Sequence, residues 1–253
     1  GLSQSDLAAG LELNPEFFLG LLNAVCIGDQ LNDVAYQVRP YEVNEGDTDR
    51  VLKECIEEMR EVLKKGAVYT PAGRFARWLA QFPGMEGKVK LAGQFYRQLF
   101  GEDYVQSLQR VGQRFNEVEV DRTRPKPIVK VTGEFWAQTT EGDGNFNMFN
   151  FLQREGAQVL VEPIGTWMTY VIRQAKRKME DRAGLDEKRE KLEWWQLASK
   201  AKRLYKDYRP LVLLTVVEKL FAREWRRLRV ALGEVPHDLC NQYELQRLGD
   251  PFY

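Results

Sequence analysis

Histidine and cysteine are scarce in this sequence, and neither sign of charge is in excess. The chain of 253 residues has one histidine and three cysteines, and its 37 basic residues balance 37 acidic ones. A single histidine excludes a histidine-rich metal site. Three scattered cysteines exclude a disulfide framework and indicate a reducing, cytoplasmic location. Because the formal net charge is zero, it predicts no attraction to nucleic acid or to an anionic membrane.

Long apolar runs are also missing. The longest, at residues 211–217, is far too short to cross a bilayer, and no signal peptide, low-complexity segment or internal repeat is visible. We therefore expect no membrane partner. The chain starts with glycine and stops at Asp-Pro-Phe-Tyr without a capping element, so both ends resemble the interior of a longer protein.

Helical periodicity fills most of what remains. We expect a helical region at 1–121, a strand–helix–strand core at 122–166 and a second helical region at 167–253. Start and stop signals place individual helices at 15–39, 47–66, from 70, at 88–99, at 104–115, from 166, at 186–208 and from Pro210 to about 233.

The core of the prediction is residues 126–166, which read as strand, polar loop, helix and strand. Two β-branched runs, 127–132 and 157–161, flank a helix over 145–155 whose apolar positions are Phe146, Met148, Phe149 and Leu152. Two strands joined by one helix form a parallel crossover. The predicted class is α/β, with a small Rossmann-like parallel sheet unit and extensive flanking helices. The loop after the first strand then lies at the carboxyl edge, where open α/β folds bind ligands.

That loop carries the candidate site. Glu134 is the candidate catalytic residue, as a proton carrier tuned by burial. The candidate substrate- or cofactor-binding residues are small or polar: Gly133, Gln138, Thr139, Thr140, Gly142, Asn145 and Asn147. In the competing interpretation, Asp143 or Asn145 only caps the next helix and the glycines only turn the chain. The Gly-Asp-Gly triplet lacks the spacing of a dinucleotide fingerprint, so a nucleotide is not indicated.

Three further sets of residues each have two interpretations. Arg39 either anchors a ligand phosphate or pairs with Glu42. Asp29 and Asp33, one helical turn apart, either bind metal or move protons, or belong to a solvated helix face. Cys26 and Cys55 lie in apolar stripes typical of structural thiols, whereas Cys240 near His237 is half of a metal site. The metal ligands, if any, stay unassigned.

Basic residues are concentrated at 173–206, where Tyr170, Trp194, Trp195 and Tyr205 lie among or beside them. Such a mixture is found in nucleic-acid sites. It is also typical of an exposed helical pair whose aromatic rings pack inward, and it could form a docking surface for an acidic partner subunit. We expect no nucleic-acid partner.

Two segments show a family resemblance. VKVTGE at 129–134 with the helix 145–156, Pro163 and Trp167, and GDQLNDVAYQVRPYEVNEGDTDRVL at 28–52, occur in the expected order. They resemble 2-hydroxyacyl-CoA dehydratases and, more closely, the proteins related to CoA-substrate-specific enzyme activases. The resemblance implies a component of an ATP-activated, iron–sulfur-dependent acyl-CoA dehydratase or reductase system, which passes low-potential electrons to a hydroxyacyl-CoA or similar substrate.

The resemblance further implies an iron–sulfur cluster, an acyl-CoA-type substrate, and an activase or another subunit of a larger complex as partner. The sequence departs from the family in two respects. It has no glycine-rich ATPase signature, so we do not expect the activase itself, and it has no clustered cysteine motif. The alternative is a non-catalytic scaffold that docks an activase or a partner subunit through its basic helices. Whether the chain is itself an enzyme is open.

Overall fold

The computed structural model describes residues 15–66, 101–133, 142–185 and 197–249, with residues 78, 81, 82, 87, 89, 92, 93, 96, 138 and 140. The described part is mostly helical and contains a two-stranded parallel sheet, so the α/β class is compatible with it. Most of the helices predicted from residue 70 and at 88–99 lies outside the described residues, and so do residues 186–196.

The helices are α1 (Pro15–Val38), α2 (Asp47–Gly66), α3 (Asp103–Asn116), α4 (Met148–Arg154), α5 (Ile164–Leu185), α6 (Leu197–Ala231) and α7 (Gln242–Gly249). The strands are β1 (Ile128–Val131) and β2 (Gln158–Val161), and 3-10 turns cover Arg39–Tyr41 and Gly142–Asn145. The chain forms two compact units. Unit 1 is 1–162 with 227–237, and unit 2 is 163–226 with 238–253.

In unit 1, α2 packs against both α1 and α3. Cys55 and Met59, which the helical spacing predicts on the apolar stripe of α2, are buried, and Val51 is buried as well, whereas Ile56, predicted on the same stripe, is exposed. On the more exposed side of the α2–α3 contact, Arg110 and Arg114 of α3 each reach the carboxylate of Glu58 at 2.8 Å. The predicted bounds of α1, α2 and α3 are confirmed to within a residue or two.

The predicted parallel crossover is also confirmed. Strands β1 and β2 pair in parallel, with Val131 opposite Val161 at their carboxyl ends. Helix α4 and helix α1 both pack against β2. A small core holds this arrangement together, and in it the rings of Tyr36 and Phe149 meet edge to face with centroids 5.6 Å apart, beside Val131 and Val159.

Helix α4 is shorter than the sequence indicates. It begins at Met148 rather than at residue 145, because residues 142–145 form a 3-10 turn and Phe146 and Asn147 have left-handed backbone angles. Phe149 faces the core as expected. Phe146 and Met148 are exposed, so their assignment to the apolar face of the helix is wrong.

Helix α6 is longer than the sequence indicates. A start at Pro210 is wrong, because a single helix of 35 residues runs through that proline. Proline inside a helix removes one hydrogen bond and costs about 3 kcal/mol. Residues 197–209, before the proline, are rich in the helix formers Ala, Leu, Lys and Arg, which favour a helical backbone up to that point.

The turn between α1 and α2 is organised by Glu42. Its two carboxylate oxygens accept hydrogen bonds from the backbone N–H groups of Gly46 and Thr48, each at 2.8 Å. These are donors at the start of α2, which have no partner within the helix, and a negative charge also suits that end of the helix dipole. Glu42 therefore acts as the cap of α2, although it lies before the helix.

We expect Glu42→Ala to lower the free energy of unfolding by about 1 to 2 kcal/mol, which is typical for loss of a helix cap. Urea denaturation followed by circular dichroism measures the change. The control is Glu45→Ala, because Glu45 is exposed in the same turn. Equal effects of the two substitutions would show that Glu42 does not cap the helix.

Candidate functional site

The loop after β1 follows the buried residue Val131, and the side chain of Gln138 hydrogen-bonds back to its first part. Val131 is buried at the end of the strand, and Gly133 follows with a φ of 142°. The Gln138 amide nitrogen donates to the Gly133 carbonyl at 2.7 Å, which brings two of the predicted site residues together. Glu134 and Thr139 lie outside the described residues.

Both glycines of the second half of the loop are needed there, for different reasons. Gly142 has a φ of 81°, and its carbonyl accepts a hydrogen bond from the Asn147 backbone at 2.8 Å. At Gly144, a Cβ atom would lie 2.8 Å from Cβ of Thr140 and still closer to the threonine methyl carbon. One glycine therefore supplies a backbone conformation and the other supplies space.

The backbone is strained where the loop enters α4. Phe146 and Asn147 have φ values of 57° and 54°, which are uncommon for residues other than glycine. Asn147 occupies the N-cap position and makes no side-chain capping bond. The prediction that Asn145 caps this helix is therefore wrong, and the side chain of Asp143 lies outside the described part of the structure. Phe146 is 92% exposed at this point, which the sequence did not indicate.

Asn145 has an unusual environment among the residues that the structure describes in this loop. It is 2% exposed, and neither its amide oxygen nor its amide nitrogen has a hydrogen-bond partner in the part of the chain that the structure describes. An amide buried in this way costs about 1 to 3 kcal/mol. Native proteins rarely leave such groups unsatisfied, so the position calls for an explanation, and a bound polar group is one.

Arg39 contacts α2 and α4. Its guanidinium pairs with Asp49 at 2.7 Å and donates to the Gln153 side-chain oxygen at 3.3 Å. Pairing with Glu42 is thus wrong, since Glu42 caps α2 and Asp49 in the first turn of that helix takes its place. The Gln153 amide nitrogen is buried without a partner among the described residues. No sequence pattern pointed to Gln153, because its contact with Arg39 joins residues that are far apart in the sequence.

Asp33 does not lie on a solvated helix face. It is 5% exposed, and its oxygens lie 2.9 and 3.0 Å from Nδ1 of His237. The same carboxylate accepts the backbone N–H of His237 at 2.5 Å. Because 204 residues separate the two in sequence, helical spacing gave no sign of the pair. Its evident effect is to fix the segment after α6 to α1 within unit 1.

The cysteines do not form a metal centre in the described structure. Cys26 and Cys55 are buried in α1 and α2, and Cys240 is half-buried. Among the residues described, no group of three histidine, cysteine, aspartate or glutamate side chains could hold a metal ion. An iron–sulfur cluster needs several thiolates. These donors therefore do not fit a complete cluster held by this chain alone.

Burial raises the pKa of the Cys55 thiol to about 11, although the nearby Arg114 acts in the opposite direction. The thiol is therefore protonated at neutral pH. A protonated thiol is a poor nucleophile and a poor metal ligand. This environment agrees with a structural role for Cys55.

Comparisons with known protein families, with characterised proteins and with solved structures found no match to this chain. Among the described helices, none is long and apolar enough to cross a membrane.

We expect Asn145→Leu to leave the stability of the ligand-free protein unchanged or to raise it by about 1 kcal/mol, because it removes an unpaired buried amide of similar shape. Thermal or urea unfolding measures the change. Asn150→Leu is the control, since Asn150 is an exposed residue of α4 and its replacement has little effect. A large loss of stability in Asn145→Leu would show that the amide is satisfied in the free protein.

Cys55 also gives a pH prediction. Its pKa is higher in the folded chain than the ordinary value of 9.0, so its contribution to stability is complete below pH 9 and is lost between pH 9 and about 11. At pH 8 we expect iodoacetamide to modify Cys55 at least about tenfold more slowly in the native than in the unfolded chain. Mass spectrometry of modified peptides measures both rates. Equal rates in the native and unfolded chains would contradict a raised pKa of Cys55. The Cys55→Ala substitution should reduce the loss of stability at alkaline pH.

Proposed function

We propose that the loop between β1 and α4 binds the polar part of an acyl-CoA-type substrate, and that unit 1 belongs to a Rossmann-like domain. The unpaired, buried amide of Asn145 carries this proposal. It can donate and accept at once, as a ligand carbonyl or hydroxyl group requires. A ligand that satisfied it would recover the cost of burying the amide.

The position of the loop supports the same function. It leaves β1 at the carboxyl end of a parallel pair, where open α/β sheets bind ligands. Gly142 lets its backbone turn tightly, Gly144 leaves space for Thr140, and strain at Phe146 and Asn147 is a feature that clusters at ligand sites. These three observations concern the same short segment of the chain.

The resemblance to 2-hydroxyacyl-CoA dehydratases and activase-related proteins supplies the chemistry for the proposal. In it, the chain is one component of an ATP-activated system that removes a hydroxyl group from a hydroxyacyl-CoA or reduces a similar substrate. Glu134, one residue after Gly133, is the proposed proton carrier. An iron–sulfur cluster would supply low-potential electrons, and a partner subunit would have to provide ligands for it.

The test of the binding site is calorimetric titration with a 2-hydroxyacyl-CoA, with coenzyme A alone and with the free 2-hydroxy acid. We expect the intact chain to bind the thioester, and Asn145→Leu to bind it at least about tenfold more weakly, since a hydrogen bond to a buried amide is lost. Asn150→Leu should bind as the parent does. No binding by the parent chain, or equal binding by Asn145→Leu, would overturn the proposal.

The same variants separate binding from proton transfer. With an activase and ATP present, Glu134→Gln should bind the thioester normally and lose turnover, because an amide cannot carry the proton. Normal turnover in Glu134→Gln removes that residue from the proposed role and leaves the binding function in place.

A second candidate function has its own support in unit 2. Several large apolar side chains are exposed there on α5 and α6, among them Trp167, Val212 and Leu213. Exposed apolar surface marks protein–protein contacts where it forms a patch. We infer that the chain also serves as a docking component that binds an activase or another subunit.

A further inference from the structure

The two faces of α6 differ sharply within unit 2. On one face Phe221 and Trp225 are buried, and Trp225 lies so close to Gly165 of α5 that a Cβ there would come within 2.8 Å of the indole. On the opposite face Val212 is 60% exposed, and Leu213 and Val216 are exposed beside it. Helical spacing of four residues puts Val212 and Val216 in one row.

The exposed face changes from apolar to basic along the helix. Lys219, Arg223 and Arg226 are exposed and follow Val216 at steps of three and four residues, so they continue the same row. We call Val212, Leu213, Val216, Lys219 and Arg223 the α6 outer face. Helix α6 has ten basic and three acidic residues, whereas the whole chain is neutral, so positive charge is concentrated on this element.

A polar cluster around the buried Lys176 side chain fixes α6 to its neighbours in unit 2. The Lys176 ammonium of α5 lies 2.6 Å from the Glu218 carboxylate of α6 and 2.6 Å from the Tyr243 hydroxyl of α7. The Tyr243 hydroxyl also donates to Glu218 at 3.1 Å. Because Glu218 lies between Val216 and Lys219 in sequence, this cluster holds the α6 outer face in a defined orientation.

We propose that the α6 outer face binds an amphipathic helix of a partner protein. The apolar side chains of that helix would cover Val212, Leu213 and Val216, and its acidic side chains would lie opposite Lys219 and Arg223. This inference deepens the docking function proposed above by naming the surface and the chemistry of the partner. Helices commonly bind in this way, through apolar anchors spaced three and four residues apart.

Charge excludes a second copy of this chain as the preferred occupant. Exposed basic residues flank the apolar part on both sides, with Arg209 before it and Lys219 and Arg223 after it. A parallel pair of α6 helices would bring Lys219 near Lys219, and an antiparallel pair would bring it near Arg209. Both arrangements set like charges against each other, whereas an acidic helix is complementary in either direction.

The arrangement also differs from that of a membrane-bound helix. In an interfacial helix the basic residues lie on the face opposite the apolar one. Here Lys219 and Arg223 continue the apolar row, so a bilayer that received Val212 and Val216 would have to receive the charges as well. A partner helix with apolar and acidic residues in one row matches both the apolar part and the basic part of the α6 outer face.

The experiment uses two labelled helical peptides and the full chain. One peptide carries leucines spaced three and four residues apart, followed by glutamates over the next two turns, and the other has lysine at each glutamate position. We expect the glutamate peptide to bind, with an affinity that falls as salt is added, and the lysine peptide to bind at least about tenfold more weakly in fluorescence anisotropy. Equal binding of the two peptides would overturn the proposal.

Charge reversal provides the sharper test. In Lys219→Glu with Arg223→Glu, the preference should invert, so that the lysine peptide binds more tightly than the glutamate peptide. Val212→Asp with Val216→Asp should weaken both peptides. The controls are Ile56→Asp and Lys53→Glu on the exposed side of α2, which should change nothing. Unchanged binding in the α6 variants, with circular dichroism showing an intact fold, would overturn the proposal.

Two further measurements separate this inference from its alternatives. A dimer in light scattering that Val212→Asp with Val216→Asp dissociates, or co-sedimentation with phosphatidylserine vesicles that those substitutions abolish, would assign the face to a second copy or to lipid instead. If the chain binds an activase and the α6 variants bind it equally well, docking stands and the α6 outer face is the wrong surface. If the parent does not bind an activase but the peptide preference inverts in Lys219→Glu with Arg223→Glu, the α6 outer face is a binding surface and the activase is not its partner.

Discussion

The packing of α4 against the parallel strands is the contact on which the candidate site depends. Phe149 anchors the short helix through its edge-to-face contact with Tyr36 and its place beside Val131 and Val159. Because Val131 ends β1 and Phe149 lies in the first turn of α4, this core fixes both ends of the loop between them. The loop can then carry strained residues and an unsatisfied amide that an isolated segment would not tolerate.

Elements with strong local signals were predictable from the sequence. Helix α2 has a regular apolar stripe and a glycine at its end, and two β-branched runs around a short helix indicated the parallel pair. Local signals for helix starts were less informative where other parts of the sequence favour a longer helix. Pro210 is a typical helix start, yet α6 continues through it, because the residues before it are rich in the helix formers Ala, Leu, Lys and Arg.

The candidate site was predictable in its place but not in its details. The position of the loop after β1 and the need for glycine at 142 follow from sequence. Burial of Asn145, exposure of Phe146 and the choice of Asp49 as partner of Arg39 depend on how separate segments meet, and no local pattern reports that. The contact of Asp33 with His237 is the clearest case, since the two residues are neighbours only in the folded chain.

That contact has a consequence for how the protein is made. Unit 1 is discontinuous, because residues 227–237 complete a body whose other residues all precede position 163. During synthesis Asp33 of α1 emerges from the ribosome before its partner, because His237 follows it by 204 residues. Unit 1 therefore reaches its final form only after residue 237 has been synthesised, and a shortened chain that ends after β2 would lack the closing contact.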